Sequence, residues 1–124
     1  ILAKDGIYVI EINPRLTTSY VGLRKILKIN IAQAIIESTT QKQLPSKIES
    51  KDGTCFFQKV EAPKTSSINY AKLLKESEVA SPPFTTNIDT LPVLLIQVFT
   101  EKSSRIMDKF SETKNRLNSI LLSG

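Results

Sequence analysis

The chain contains no histidine and no tryptophan, and only one cysteine and one methionine, in 124 residues. Without histidine there is no imidazole to bind a metal, to act as a general acid or base, or to complete a catalytic triad. The single cysteine, Cys55, excludes a disulfide within the chain and is typical of a reducing compartment, so a cytoplasmic protein is predicted. Because no histidine could activate it, Cys55 is interpreted as a buried structural residue.

Long apolar runs and blocks of one charge are also missing. No apolar run reaches the roughly 18 residues of a membrane span, so no membrane partner is predicted. Lysine and arginine outnumber aspartate and glutamate by 17 to 12, which gives a net charge of +5. The basic residues are scattered and few aromatics lie among them, which argues against a nucleic-acid face. An enzyme that handles nucleotide phosphates would also tolerate a basic balance.

The start of the chain predicts a β-hairpin. The apolar runs ILA and IYVIEI flank Lys4-Asp5-Gly6, and Asp-Gly supplies the positive-φ positions of a tight turn. The chain begins with Ile1 rather than methionine, within the first of these strands. We therefore expect it to be part of a longer polypeptide, as a proteolytic fragment or a cut piece.

The remaining patterns predict helices at about 18–38, with Asn30 as an N-cap inside this range, and at about 68–77. They also predict a second hairpin at about 47–60, with strands near 47–50 and 54–60, and then a buried closing strand and a helix at about 91–122. Pro82 and Pro83 are expected to prevent regular strand pairing. The closing helix has one apolar face, formed by Ile106, Phe110, Leu117 and Leu121. These elements predict one α+β domain, residues 1–124, with a mostly antiparallel sheet of hairpins and helices packed on one face.

Polar side chains occupy alternate positions near the end of the second predicted strand, in YVIEINPR. Glu11 and Asn13 share a face and lie about 6.6 Å apart, so their oxygens can converge on a hard cation such as Mg²⁺. Pro14 ends the pairing, and Arg15 follows where its guanidinium can reach phosphate oxygens. The pattern also fits a solvated strand face that ends in a proline turn. The opposite side is expected to face the core: Tyr8, Ile10 and Ile12.

The next three residues are Thr17, Thr18 and Ser19, at the predicted start of a helix. The hydroxyl of Thr17 or Thr18 can cap the helix by accepting a backbone N–H of the first turn. The same helix start could instead contact a phosphate or another anionic substrate. The two roles are compatible, and both are retained as predictions.

The string VIEINPR resembles the metal-binding strand of the ATP-grasp superfamily, whose members join a carboxylate to an amine through an acyl-phosphate. The continuation LTTSYVGLRKILKINIAQAII resembles the archaeal and methylotroph branch of these ligases that includes tyramine–glutamate ligase. The resemblance covers residues 1–38, weakens over 39–75, and returns at SPPF and in the closing strand and helix. It implies the C-terminal lobe of an ATP-grasp fold with a metal-binding strand at about 7–15.

The resemblance also implies roles for individual residues. Glu11 and Asn13 would bind Mg²⁺ or Mn²⁺, and Arg15, the catalytic residue, would contact the phosphates of ATP or the acyl-phosphate. The contact of Thr17, Thr18 and Ser19 with phosphate or substrate is predicted from the helix start alone.

The family carries another metal-binding acid and a nucleotide-binding lobe upstream of this strand, outside residues 1–124. The implied partners are therefore that upstream polypeptide, ATP, a small carboxylate and an amine, and the chain could form a homodimer. By itself the chain is expected to be inactive. The alternative function is a small non-catalytic α+β binding or regulatory domain.

Overall fold

A computed structural model of the protein describes residues 1–10, 17–64, 66–85 and 89–123. Within these residues the chain forms strands, helices and one 3-10 turn. In chain order they are β1 (Leu2–Ala3), β2 (Gly6–Ile7), α1 (Ser19–Ile26), α2 (Ile31–Thr40), β3 (Thr54–Glu61), α3 (Ser67–Leu73), β4 (Val79–Phe84), β5 (Val93–Thr100), a 3-10 turn (Ser103–Arg105) and α4 (Ile106–Leu122).

Strand β5 is the centre of the main sheet and lies between β3 and β4, antiparallel to both. It pairs with the whole of β3, from Thr54 opposite Thr100 to Glu61 opposite Val93. All of residues 94–98 are buried. A strand covered on both faces carries a nearly continuous apolar run instead of an alternating pattern. The predicted buried strand is therefore confirmed.

Helices α3 and α4 cover one face of this sheet. Phe110, Leu117 and Leu121 of α4 are buried against β5, and Leu73 of α3 joins them in the core. Phe56 of β3 packs edge-on against Phe110, with ring centroids 4.9 Å apart. The predicted apolar face of the closing helix is confirmed, because its 3.6-residue periodicity places these side chains on one side.

Helix α1 lies on the opposite face of β3. Side chains alternate along a strand, so Phe57 points away from α4 and meets Gly22 of α1. A β-carbon on Gly22 would come within 2.9 Å of the Phe57 ring, so glycine allows this close approach. The predicted α+β class with an antiparallel sheet is confirmed, but helices cover both faces of the sheet rather than one.

Cys55 lies beside the same contact, with its sulfur 4.0 Å from the position of that β-carbon. Partial burial raises the pKa of the Cys55 thiol, and the charge of Lys25 opposes this only in part. A raised pKa lowers the fraction of reactive thiolate. The structural interpretation of Cys55 agrees with this environment, although the side chain is half-buried rather than fully buried.

The predicted hairpin at about 47–60 is wrong. Strand β3 begins near the expected residue, but it pairs with β5 across the sheet and not with residues 47–50. Ser50 instead forms an isolated bridge with Leu27, and the Lys51 N–H donates to the Ile26 carbonyl at 2.8 Å. The apolar strand β5 buries far more hydrophobic surface against β3 than the polar segment KIES, residues 47–50, could. This larger burial favours the pairing of β3 with β5.

The expectation that Pro82 and Pro83 prevent pairing is also wrong in part. Both lie in β4, which pairs with β5 at Val79, Ser81 and Phe84, with shifts in register between them. The Ser81 hydroxyl accepts a hydrogen bond from the Leu95 N–H at 3.1 Å. Among the strands described, β4 is at an edge of the sheet, which is where prolines without an N–H are tolerated.

The N-terminal hairpin is confirmed over a short length, with Leu2 opposite Ile7 and Ala3 opposite Gly6. It continues through a 2.9 Å hydrogen bond from the Tyr8 N–H to the Ile1 carbonyl. The prediction that Tyr8 and Ile10 face the core is wrong, because they are 53% and 72% exposed. This hairpin presents its apolar side chains to solvent.

An ion-pair cluster joins α4 to the segment between α3 and β4. The guanidinium of Arg116 contacts the carboxylates of Glu76 and Glu78, the latter at 3.2 Å. Partial burial alone would raise the pKa of Glu78, but hydrogen bonds from Ser77 and the backbone and the charge of Arg116 outweigh it. The pKa of Glu78 therefore lies below its ordinary value.

Replacing Arg116 with glutamine is expected to lower the free energy of unfolding by about 1 kcal/mol at pH 7, since two partly exposed ion pairs are lost. A carboxyl whose pKa is lowered by folding adds stability above its unfolded pKa, about 4.3 for glutamate, and loses it as the pH falls. The difference between wild type and variant should therefore shrink in urea unfolding at pH 3. Arg24→Gln, which removes an exposed arginine of α1, is the control. An equal loss in this control, or a difference that persists at pH 3, would contradict the role of the cluster.

Candidate functional site

The predicted metal- and phosphate-binding residues Glu11, Asn13 and Arg15 lie outside the described residues. The binding of Mg²⁺ or Mn²⁺ by Glu11 and Asn13 therefore stays a prediction, as does the contact of Arg15 with phosphate. Their chemistry is consistent with the metal, because a carboxylate and an amide oxygen are hard ligands of the kind Mg²⁺ prefers. Residues 1–10, 17–64, 66–85 and 89–123 contain no group of three or more aspartate, glutamate or cysteine side chains placed close enough together to hold a metal ion.

The elements on either side of this motif are described. The β1–β2 hairpin precedes it and is extended by backbone hydrogen bonds between Ile1 and Tyr8, and residues 9–10 then belong to no described strand. After it, the chain enters α1 at Ser19. Helix α1 is positioned by its packing on β3 through Gly22. The motif is thus connected on one side to an exposed hairpin and on the other to a helix fixed on the main sheet.

The predicted substrate residues Thr17, Thr18 and Ser19 are all exposed at the start of α1. Thr18 is the N-cap residue but has helical φ and ψ of −56° and −24°, and within the described chain its side chain makes no capping hydrogen bond. Of the two predicted capping residues, Thr17 and Thr18, the structure has Thr18 at the N-cap position, and the predicted cap through its hydroxyl is not formed. Since a capping residue normally adopts an extended conformation, these angles explain the difference. A substrate contact by these three residues stays a prediction.

Some of the backbone N–H groups at this helix start already have hydrogen-bond acceptors within the chain. The N–H groups of Tyr20 and Val21 donate to the carbonyls of Thr17 and Thr18, at 3.0 and 3.1 Å. No acidic residue lies in the first turn, whereas Arg24 and Lys25 lie in the last. An anion at this end would thus meet the positive end of the helix dipole without a competing carboxylate in that turn. In contrast, Asn30 caps α2 as predicted, accepting the Gln33 N–H at 3.1 Å.

A second polar site was not predicted from the sequence. A surface pocket of about 320 Å³ lies where β5 leads into α4, and it is lined by Thr100, Lys102, Arg105, Lys109 and Glu112. The signal for it is the spacing of three cations at i, i+3 and i+7 around the start of a helix, which places them near one another. Lys102 precedes α4, so the spacing identifies the site only once the course of the 3-10 turn is known.

The described helices include none that is long and apolar enough to cross a membrane.

Comparison with known proteins finds similarity over part of the chain. The tyramine–L-glutamate ligase of Methanocaldococcus fervens is 37% identical over 54 residues, which are 44% of this chain and 18% of that protein. The tyramine–L-glutamate ligase of Methanocaldococcus jannaschii is also 37% identical over 54 residues, and the match covers 17% of its length. No family model matches the chain. No solved structure matches it significantly. The chain is thus similar to archaeal ligases over a segment that makes up less than a fifth of their length.

Proposed function

We propose that this chain is part of an ATP-dependent carboxylate–amine ligase of the ATP-grasp type. The observation that carries the proposal is the 37% identity to two archaeal tyramine–L-glutamate ligases, together with the Glu-x-Asn-Pro-Arg string of residues 11–15. In such a ligase, ATP phosphorylates the carboxylate, the amine attacks the acyl-phosphate, and inorganic phosphate leaves.

The chain's own part in this chemistry is electrostatic. Glu11 and Asn13 would hold Mg²⁺ or Mn²⁺, which neutralises charge on the phosphates of ATP when it is bound. The planar guanidinium of Arg15 would donate to oxygens of the transferred phosphoryl group, whose negative charge is spread over those atoms. The exposed residues Thr17 to Ser19, at the positive end of α1, would contact the anionic substrate.

Two observations support the proposal that the rest of the site is formed by residues outside this 124-residue chain. The match covers under a fifth of either ligase. The N-terminal hairpin that leads into the motif is also strongly apolar and exposed. Ile7, Val9 and Ile10 are 80%, 76% and 72% exposed, and a surface of this kind usually marks an interaction site.

The test compares the isolated 124-residue chain with the complete polypeptide encoded by its gene. The complete polypeptide should cleave ATP in the presence of Mg²⁺, a small carboxylate and an amine, and phosphate release should stop with EDTA. The isolated chain should show no turnover, because too few metal ligands remain. Turnover by the isolated chain would contradict the division of the site. A complete polypeptide that neither binds nor cleaves Mg-ATP would refute the ligase and favour a non-catalytic binding domain.

A further inference from the structure

We propose that the pocket between β5 and α4 is a binding site for a phosphate group, formed by residues other than those of the Glu11–Arg15 motif. Its lining combines three cationic side chains with one hydroxyl and one carboxylate: Lys102, Arg105, Lys109, Thr100 and Glu112. The negative charge of a phosphate would compensate the excess positive charge of this lining. Guanidinium and ammonium groups are the side chains that usually donate hydrogen bonds to phosphate oxygens.

In the described part of the chain, none of these cations forms an ion pair with a carboxylate within 4.0 Å. The ion pairs found there involve other cations, namely Lys28, Lys47 and Arg116. Like charges that are held close together repel one another. Glu112 in the lining and Glu101 in the adjoining groove beside Lys102 and Lys109 supply two negative charges against three positive ones, so one positive charge remains uncompensated. A bound anion would relieve this repulsion.

Hydrogen bonds fix the segment that carries these cations. The Lys102 N–H donates to the Thr100 hydroxyl oxygen at 3.2 Å, and the Thr54 and Ser103 hydroxyls lie 2.5 Å apart. The ammonium of Lys109 donates to the Phe99 carbonyl at 2.8 Å. These contacts tie the turn to the end of β5 and to β3. A site whose donors are held in place loses less entropy when a ligand binds.

The donors also have the chemistry that a phosphate needs. The Thr100 oxygen accepts from Lys102, which leaves its O–H able to donate. Lys109 uses one of its three N–H donors on Phe99, and the others remain. Arg105 has five donors in a planar fork that matches two phosphate oxygens. The volume of about 320 Å³ accommodates a phosphate together with a small attached group.

The experiment titrates the 124-residue chain with inorganic phosphate at constant ionic strength, since salt screens exposed charges over about 8–10 Å. Amide chemical shifts are followed by NMR. Saturable shifts should be concentrated in residues 100–112. Arg105→Gln should weaken binding at least about threefold, and Lys102→Gln with Arg105→Gln about tenfold, because hydrogen bonds from ionised donors are roughly twice as strong as neutral ones. Glu112→Gln should tighten binding by removing the competing carboxylate.

Lys114→Gln is the matched control, since Lys114 is an exposed residue of α4 outside the pocket and the substitution removes the same charge. It should leave the phosphate affinity within about twofold of wild type. Thermal midpoints of each variant show that it remains folded. The proposal is overturned if phosphate produces no saturable shifts, or if Lys114→Gln weakens binding as much as Arg105→Gln.

Titrations with pyrophosphate and with metal-free ATP identify the source of the phosphate group. Tighter binding of ATP than of pyrophosphate would support a nucleotide as the ligand. Equal or weaker binding of ATP would support a site for phosphate groups without a nucleoside. Binding of both at shifts outside residues 100–112 would overturn the proposal, because the anions would then occupy a different surface.

Discussion

Replacing Leu117 with alanine is expected to lower the free energy of unfolding by about 3 kcal/mol. Leu117 is 1% exposed and belongs to the core between α4 and β5. The substitution removes buried apolar surface and leaves a cavity whose lining loses its contacts. The sheet and α4 meet along this row of side chains, so the surrounding structure can collapse only in part. Urea unfolding followed by circular dichroism measures the difference at pH 7.

Leu122→Ala on the same helix is the matched control. The chemical change is identical, but Leu122 is 71% exposed, so its loss should cost under about 0.5 kcal/mol. The intrinsic helix propensity of alanine is slightly better than that of leucine, so it does not explain a loss of stability in Leu117→Ala. Similar costs for the two variants would show that α4 does not pack on the sheet as described.

Elements with a strong local period could be predicted from the sequence. The apolar stripe of α4 follows from its side-chain spacing and the buried strand β5 from its short, nearly continuous apolar run, and both are confirmed. Helix α2 was also predicted, because Asn30 is a strong N-cap and its side chain makes the capping hydrogen bond. In these cases the local pattern and the tertiary packing favour the same structure.

Choices that depend on distant residues could not be predicted. The partner of β3 is set by competition between residues 47–50 and β5, and the winner is separated from β3 by more than thirty residues. The placement of α1 on the second face depends on the small size of Gly22 opposite Phe57. A period within one element carries no information about which face of a sheet a helix will cover.

The same distinction between local and distant information applies to the site residues. Glu11, Asn13 and Arg15 could be selected from the sequence because their chemistry and order form a short contiguous string. The cation pocket was missed because its lining comes from the end of a strand, a turn and a helix. Only the folded connection between β5 and α4 brings these side chains to one place.

If the proposed ligase function holds, Glu11→Gln in the complete polypeptide should lower the rate of ATP turnover by about 10²–10³, or roughly 3–4 kcal/mol of transition-state stabilisation. Glutamine keeps the size of glutamate but removes its charge, so binding of the metal should suffer while packing does not. Asn13→Ala removes one neutral oxygen ligand and should have a smaller effect. Arg15→Lys should also be strongly impaired, because a point charge cannot replace a bidentate fork on phosphate oxygens.

Matched controls separate catalysis from folding in this experiment. Glu61→Gln and Arg24→Lys repeat two of these changes at exposed positions of β3 and α1. Such surface substitutions rarely change the free energy of unfolding by more than about 0.5 kcal/mol. Both controls should leave turnover within about twofold of wild type. Thermal midpoints are measured beside turnover for every variant. Raising the Mg²⁺ concentration should restore part of the activity of Glu11→Gln, because a weakened metal site fills by mass action, and should not restore Arg15→Lys. Near-normal turnover in the motif variants, or losses of turnover that only follow the thermal midpoints, would contradict the catalytic role. Glu11, Asn13 and Arg15 would then be only polar residues of a solvated strand face.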